Sequence, residues 1–198
     1  MTRHIRFPRA FTLVEALMAM SITVVAGGAI LFGMASTVDI TDDSLQRTIA
    51  RGIAEQLMEE MAGCFYYEPG GSPTQYPLGP AGSEVSGASR QLFDDIGDFH
   101  ALTQQPPRDS YGMMLGQENG TGGLRQEAFR VRDGYFDNWR TTVNVYYVSS
   151  STPGTPLAAG QTSNYRLVQV HVYVDQPEGA TRELALLSRV FAYVPLPS

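Results

Sequence analysis

The chain has 198 residues, 14 basic against 20 acidic, and a formal net charge of −6. Three of the basic residues lie in the first ten positions, so the chain from Phe11 onward carries −9, with 11 basic and 20 acidic residues, and shows no basic patch; this excludes a nucleic-acid-binding surface. Cys64 is the only cysteine, so no intramolecular disulfide staples the fold, and a lone thiol in this setting reads as a small buried hydrophobe rather than a nucleophile.

Residues 1–10 form a short basic leader with Arg3, Arg6 and Arg9 and no acid. From Phe11 to Met34 there are 24 residues with a single charge, Glu15, enough for a helix to cross a bilayer with some tilt. The run exceeds the 7–15 residues of a signal-peptide core. The positive-inside bias keeps the leader in the cytoplasm and sends everything after Met34 outside. The expected topology is single-pass, with the carboxyl-terminal domain outside. A plain signal anchor has to carry Glu15, which costs about 2.5–3.5 kcal/mol at full depth and less near the interface. Thr12-x-x-Glu15 also fits a capping box, in which the carboxylate serves the helix start itself.

Ala10-Phe11-Thr12-Leu13-Val14-Glu15, followed by Ala16-Leu17-Met18-Ala19, resembles the amino-terminal cleavage and methylation signal of type IV prepilins and type II secretion pseudopilins. The resemblance implies cutting by a prepilin peptidase between Ala10 and Phe11, N-methylation of the new Phe11 amine, and a Glu15 that pairs with the amino terminus of a neighbouring subunit during assembly. In that family the residue before the cut is usually Gly; Ala10 is its small substitute here. The implied partners are the peptidase, other pilin-like subunits, an inner-membrane assembly platform and membrane lipid, and the implied end state is a minor component of a cell-surface filament or pseudopilus. Cleavage would remove three arginines and create an ammonium one helical turn from Glu15, so the carboxylate would gain a cationic partner, from its own chain or a neighbour's. The alternative is an uncleaved, signal-anchored periplasmic binding domain.

Residues 35–63 contain no proline, and Leu45, Ile49, Ile53, Leu57 and Met61 repeat every four positions with Asp42, Asp43, Arg47, Arg51, Glu55 and Glu59 on other faces. The helix is therefore expected to run on as an amphipathic stem to about Met61, on the order of 75 Å in all at 1.5 Å per residue. Gly27, Gly28 and Gly33 in its first half point to close helix packing, with local melting as the alternative. Residues 64–138 form a loop-rich connection. Its opening is dense in Gly, Pro, Ser and Tyr, with Tyr66, Tyr67 and Tyr76 expected to pin it to the domain. Asp94, Asp95 and Asp98 fall within five positions but lack the calcium-loop spacing and its closing Glu, so they read as a turn with solvated acids. The glycines of Gly116–Gly123 match neither phosphate-binding pattern.

Residues 139–198 alternate with period two in three runs, Trp139–Ser149, Tyr165–Asp175 and Glu183–Val194, and a further short edge strand is expected around Ala128–Arg132. Val168, Val170, Val172 and Val174 share one face of the middle run, with Gln169, His171 and Tyr173 on the other. A valine face needs a cover, and the apolar stripe of the stem has the matching polarity. The expected fold is α+β, a long amino-terminal helix packed on a three- to four-stranded antiparallel sheet, which is also the architecture the pilin resemblance implies. His4, His100 and His171 make no metal motif and no nucleophile signature occurs, so no catalytic site, cofactor or metal is expected.

Overall fold

The structure is a computed structural model that describes residues 12–85, 89–119, 121, 123–176 and 179–195. Helix α1 runs without interruption from Leu13 to Ala62. The chain divides into two compact units, 1–45 and 46–198, taken separately below.

From Ala16 to Val38, in the first unit, α1 carries no charge and its apolar side chains lie on every side. Leu13, Leu17, Ile22, Val25, Phe32 and Met34 are all exposed, and this is the one described helix long and apolar enough to cross a membrane. Its hydroxyls ask nothing of their surroundings. Ser21 Oγ donates to Leu17 O at 2.9 Å, Thr23 Oγ1 to Ala19 O at 2.8 Å and Thr37 Oγ1 to Gly33 O at 2.9 Å. A polar group satisfied in this way can enter hydrocarbon without an orphan donor. The helix stays regular through Gly27, Gly28 and Gly33.

The second unit holds the core. Sheet order is β1(Leu102–Gln104)-β2(Trp139–Tyr147)-β3(Tyr165–Asp175)-β4(Thr181–Ala192), antiparallel throughout, with Val143 opposite Val170 and Val170 opposite Leu187. Val143, Val145, Val168, Val170 and Val172 are buried in one cluster with Ala50, Ile53, Ala54, Leu57, Met58 and Met61 of α1. Ala50 and Ala54 are fully buried in this cluster, and each fully buried large side chain contributes about 1.5–3 kcal/mol. Between β3 and β4, Gln176 N–H donates to Ala180 O at 2.8 Å and Gly179 takes φ +81°, a turn that returns the chain antiparallel.

Two expectations need correction. The region Ala128–Arg132 contains no strand; a 3-10 turn spans Glu127–Phe129, and the fourth strand is β1, which pairs Leu102 with Val143. Three residues ahead of two prolines are too few for alternation to register in sequence. The helix face is also wider and shifted, because Leu45 is 52% exposed while Ala50, Ala54 and Met58 are fully buried. Met58→Ala should therefore destabilise the domain by about 2–5 kcal/mol, and Leu45→Ala should fall within about 0.5 kcal/mol of wild type. Denaturant unfolding of the detergent-solubilised chain, followed by near-UV circular dichroism, checks both.

Candidate functional site

Ala10 and Phe11 lie outside the described residues. Glu15 sits in the first turn of α1, and its surroundings form a reciprocal capping box. Thr12 N–H donates to Glu15 Oε2 at 3.0 Å, Thr12 Oγ1 donates to the same oxygen at 3.1 Å, and Glu15 N–H donates to Thr12 Oγ1 at 3.3 Å. The carboxylate thereby satisfies the Thr12 amide, the Thr12 hydroxyl satisfies that of Glu15, and the negative charge meets the positive end of the helix dipole.

A second group of acids is assembled in the domain. Asp95 caps the 3-10 turn Ile96–Phe99, and Asp98 Oδ2 accepts the backbone N–H of Asp94 and of Asp95, each at 3.0 Å. Gly97 N–H donates to Asp95 Oδ1. A Cβ at position 97 would stand 2.7 Å from that oxygen, so a larger residue there would have to displace the Asp95 carboxylate. Asp95 Oδ2 accepts from Gln75 Nε2 at 3.0 Å, and Arg166 Nη1 lies 3.4 Å from Asp95 Oδ1. Arg166 is fully buried on β3, its guanidinium 4.6 Å from the Tyr66 ring centroid and 5.3 Å from that of Tyr147. It also donates to Tyr66 O and, at 3.2 Å, to Tyr147 Oη. With Glu68 and Asp94 added, one oxygen from each of four carboxylates lies within 4.8 Å of the others, a set of hard donors that could hold a metal ion. Burial pushes the Asp98 carboxyl up to about 7, with Asp95 and Glu84 adding to the rise and its two backbone amides opposing it.

These aspartates are not the solvated turn expected from sequence: Asp95 and Asp98 are buried. The difference arises because Arg166 and Gln75, 71 and 20 residues from Asp95, converge on it and supply the partners that make burial tolerable. Arg166 and Glu68 were missed, and for Arg166 a signal existed: it shares the parity of Val168 and Val170, so alternation already aims it at the core. A further buried arginine, Arg90, grips α1 near its end, with Nε to Glu60 Oε1 at 3.0 Å and Nη2 to Glu60 Oε2 at 2.8 Å.

The remaining candidates are dispersed. His100 Nδ1 accepts Val145 N–H at 3.2 Å, which puts its proton on Nε2, and burial holds its pKa below the ordinary value. His171 lies on the other sheet face, stacked on Tyr173 with Nδ1 3.5 Å from Glu183. Cys64 is half-buried with its thiol pushed up to about 11, first by burial and then by nearby carboxylates such as Glu60 and Asp98, as befits an inert thiol. Tyr66 and Tyr67 pack on Tyr193 with centroids 5.7 and 5.6 Å away, whereas Tyr76, expected to act as a pin, is exposed.

The raised Asp98 value has a thermodynamic consequence. Between about pH 4 and pH 7 the folded state holds a proton that the unfolded state has released, so stability falls as pH rises through this window. Asp98→Asn keeps an oxygen for the two amides and removes the titration. Its melting temperature should gain on wild type as pH is raised from 5 to 8; parallel pH profiles for the two proteins would contradict the assignment. Taking the difference between them cancels the opposite contribution of His100.

Comparison of the chain with protein-family models, with curated proteins and with solved structures finds no match in any of the three.

Proposed function

We infer that the chain is a prepilin-like, membrane-anchored subunit, processed after Ala10 and assembled through its amino-terminal helix into a type IV pilus-like or type II secretion pseudopilus filament as a minor component. The observation that carries this reading is α1 itself. One unbroken helix begins at the Thr12–Glu15 box, continues as a segment apolar on all sides with self-satisfied hydroxyls, and ends as the cover of a sheet. Such a segment is suited first to lipid and then to the packed helices of a filament, since both surroundings offer apolar contact and no water.

In this reading the precursor sits in the inner membrane with its domain on the periplasmic side. Prepilin peptidase removes the leader, the Phe11 amine is methylated, and Glu15 pairs with an amino-terminal ammonium as the subunit joins its neighbours on the assembly platform. The protein is not an enzyme and uses no cofactor. A carboxylate in an apolar surround is costly alone and tolerable beside a cation, which makes Glu15 a sensor of correct axial placement.

The capping box favours one other reading. It gives Glu15 a local task within its own chain, as an uncleaved signal-anchored periplasmic binding domain would need. Mass spectrometry of the amino terminus from cells separates the two. Methylated Phe11 is expected, and an intact Met1 would exclude the filament reading. Glu15→Ala should leave unfolding of the domain within about 1 kcal/mol of wild type, the value of a lost cap, yet reduce incorporation into sheared filaments to background. Undiminished incorporation would remove the intersubunit role.

A further inference from the structure

The sheet ends on a long open edge. β4 has 12 residues and pairs only with β3, whereas the strand at the other end, β1, has three. Among the described residues, no backbone-to-backbone hydrogen bond joins Thr181–Ala192 to anything but β3. About half of the backbone donors and acceptors of an edge strand point outward. The usual protections are weak here. There is no proline between Thr181 and Ala192, and the charges are turned to other tasks: Arg182 donates to Gln46 Oε1 at 2.6 Å, Arg189 to Glu59 Oε1 at 3.0 Å, and Glu183 lies 3.5 Å from His171. The register shift against Val172 and Tyr173 leaves Ala185–Ala192 as the regular run. On its face away from the helix, Leu186 is 49% and Val190 40% exposed.

A cleft of about 300 Å³ lies beside this edge, with Arg47, Arg51 and Ala54 on its helix wall and Leu184–Leu187 on its strand wall. Arg51 holds Glu55 through Nε at 2.8 Å and is otherwise exposed. A cleft walled by Arg47, Arg51 and leucines matches an acid-bearing apolar segment whose carboxylate would share Arg51 with Glu55.

We propose that the free edge of β4 and the adjoining cleft form a docking site for an extended segment of another protein, which adds as a fifth strand and places an acidic side chain in the cleft. The incoming backbone satisfies the open donors and acceptors, its outward residues cover Leu186 and Val190, and its inward acid meets Arg51. A second copy of this chain is disfavoured. Antiparallel pairing of two β4 strands about a twofold normal to the sheet can set Leu186 against Val190, but it also sets Arg189 of one copy opposite Leu187 of the other, beside Arg51, where a cation and not an acid would enter the cleft.

The test uses the detergent-solubilised full chain and a fluorescein-labelled peptide, Val-Thr-Val-Glu-Val-Thr-Val. A saturable rise in anisotropy is expected, together with slowed amide exchange confined to β4. Of Ser188→Pro and Arg189→Pro, one removes an amide from the outer edge and the other from the β3 ladder. The variant that keeps the wild-type melting temperature should bind at least about tenfold more weakly, and Arg51→Glu should do the same independently of any change in fold. Absence of peptide binding, or binding indifferent to these substitutions, overturns the proposal. Self-association in sedimentation that is lost with the edge proline overturns the choice of partner in favour of a second copy. An intact Met1 would count against the filament reading alone, and the peptide titration would still decide strand addition.

Discussion

Burial of the α1 face from Ala50 to Met61 against the valines of β2 and β3 is the contact on which the rest of the domain depends. A sheet with one apolar face is unstable in water, and a helix with one apolar face is little better alone. Each supplies what the other lacks. The match is steric as well as chemical, because the small Ala50 and Ala54 and the larger Leu57, Met58 and Met61 are all buried in one cluster with the valines. Flexible methionines suit such a cluster, since they adapt to the uneven spaces between β-branched side chains.

Polar groups then fasten what apolar packing brings together. Arg90 takes hold of Glu60 near the end of α1, and Arg166 and Gln75 draw the acidic turn at 94–98 onto the first residues of β3. These interactions gain little net energy over well-packed apolar residues, but breaking one partner of a buried pair costs several kcal/mol. Their effect is therefore to specify one placement of the long connection between helix and sheet. Burial, with the neighbouring carboxylates Asp95 and Glu84 adding to it, favours the protonated form of Asp98, while Asp95 alone of the four acids meets the buried Arg166 guanidinium.

The two units of the chain solve opposite problems. Beyond residue 45 one apolar cluster of helix and sheet residues is buried, whereas in the first unit the apolar side chains from Leu13 to Met34 lie all round the helix and are exposed. A soluble domain could not carry that segment uncovered, and no element among the described residues covers it. The proposed function assigns that cover to lipid and then to neighbouring helices, which is why it centres on α1. The open edge of β4 is a second incomplete surface, but one whose missing partner is backbone rather than hydrocarbon.

Much of this was legible in the sequence because it is written in local periodicities. A four-residue repeat identified the amphipathic end of α1, two-residue alternation located β2, β3 and β4, and the Thr12–Glu15 spacing anticipated a capping box whose atoms lie within hydrogen-bond reach. Each depends on residues within one or two turns, or on neighbours along one strand. What tertiary structure alone decided depends on residues far apart in the chain. β1 is a strand only because β2 offers it an edge, and Leu45 is exposed because the cluster formed with the sheet begins nearer Ala50. Asp95 is buried because Arg166 and Gln75 reach it across 71 and 20 residues. Periodicity records which face of an element is apolar; which partner meets that face, and which charges can follow it inside, is settled by three-dimensional proximity.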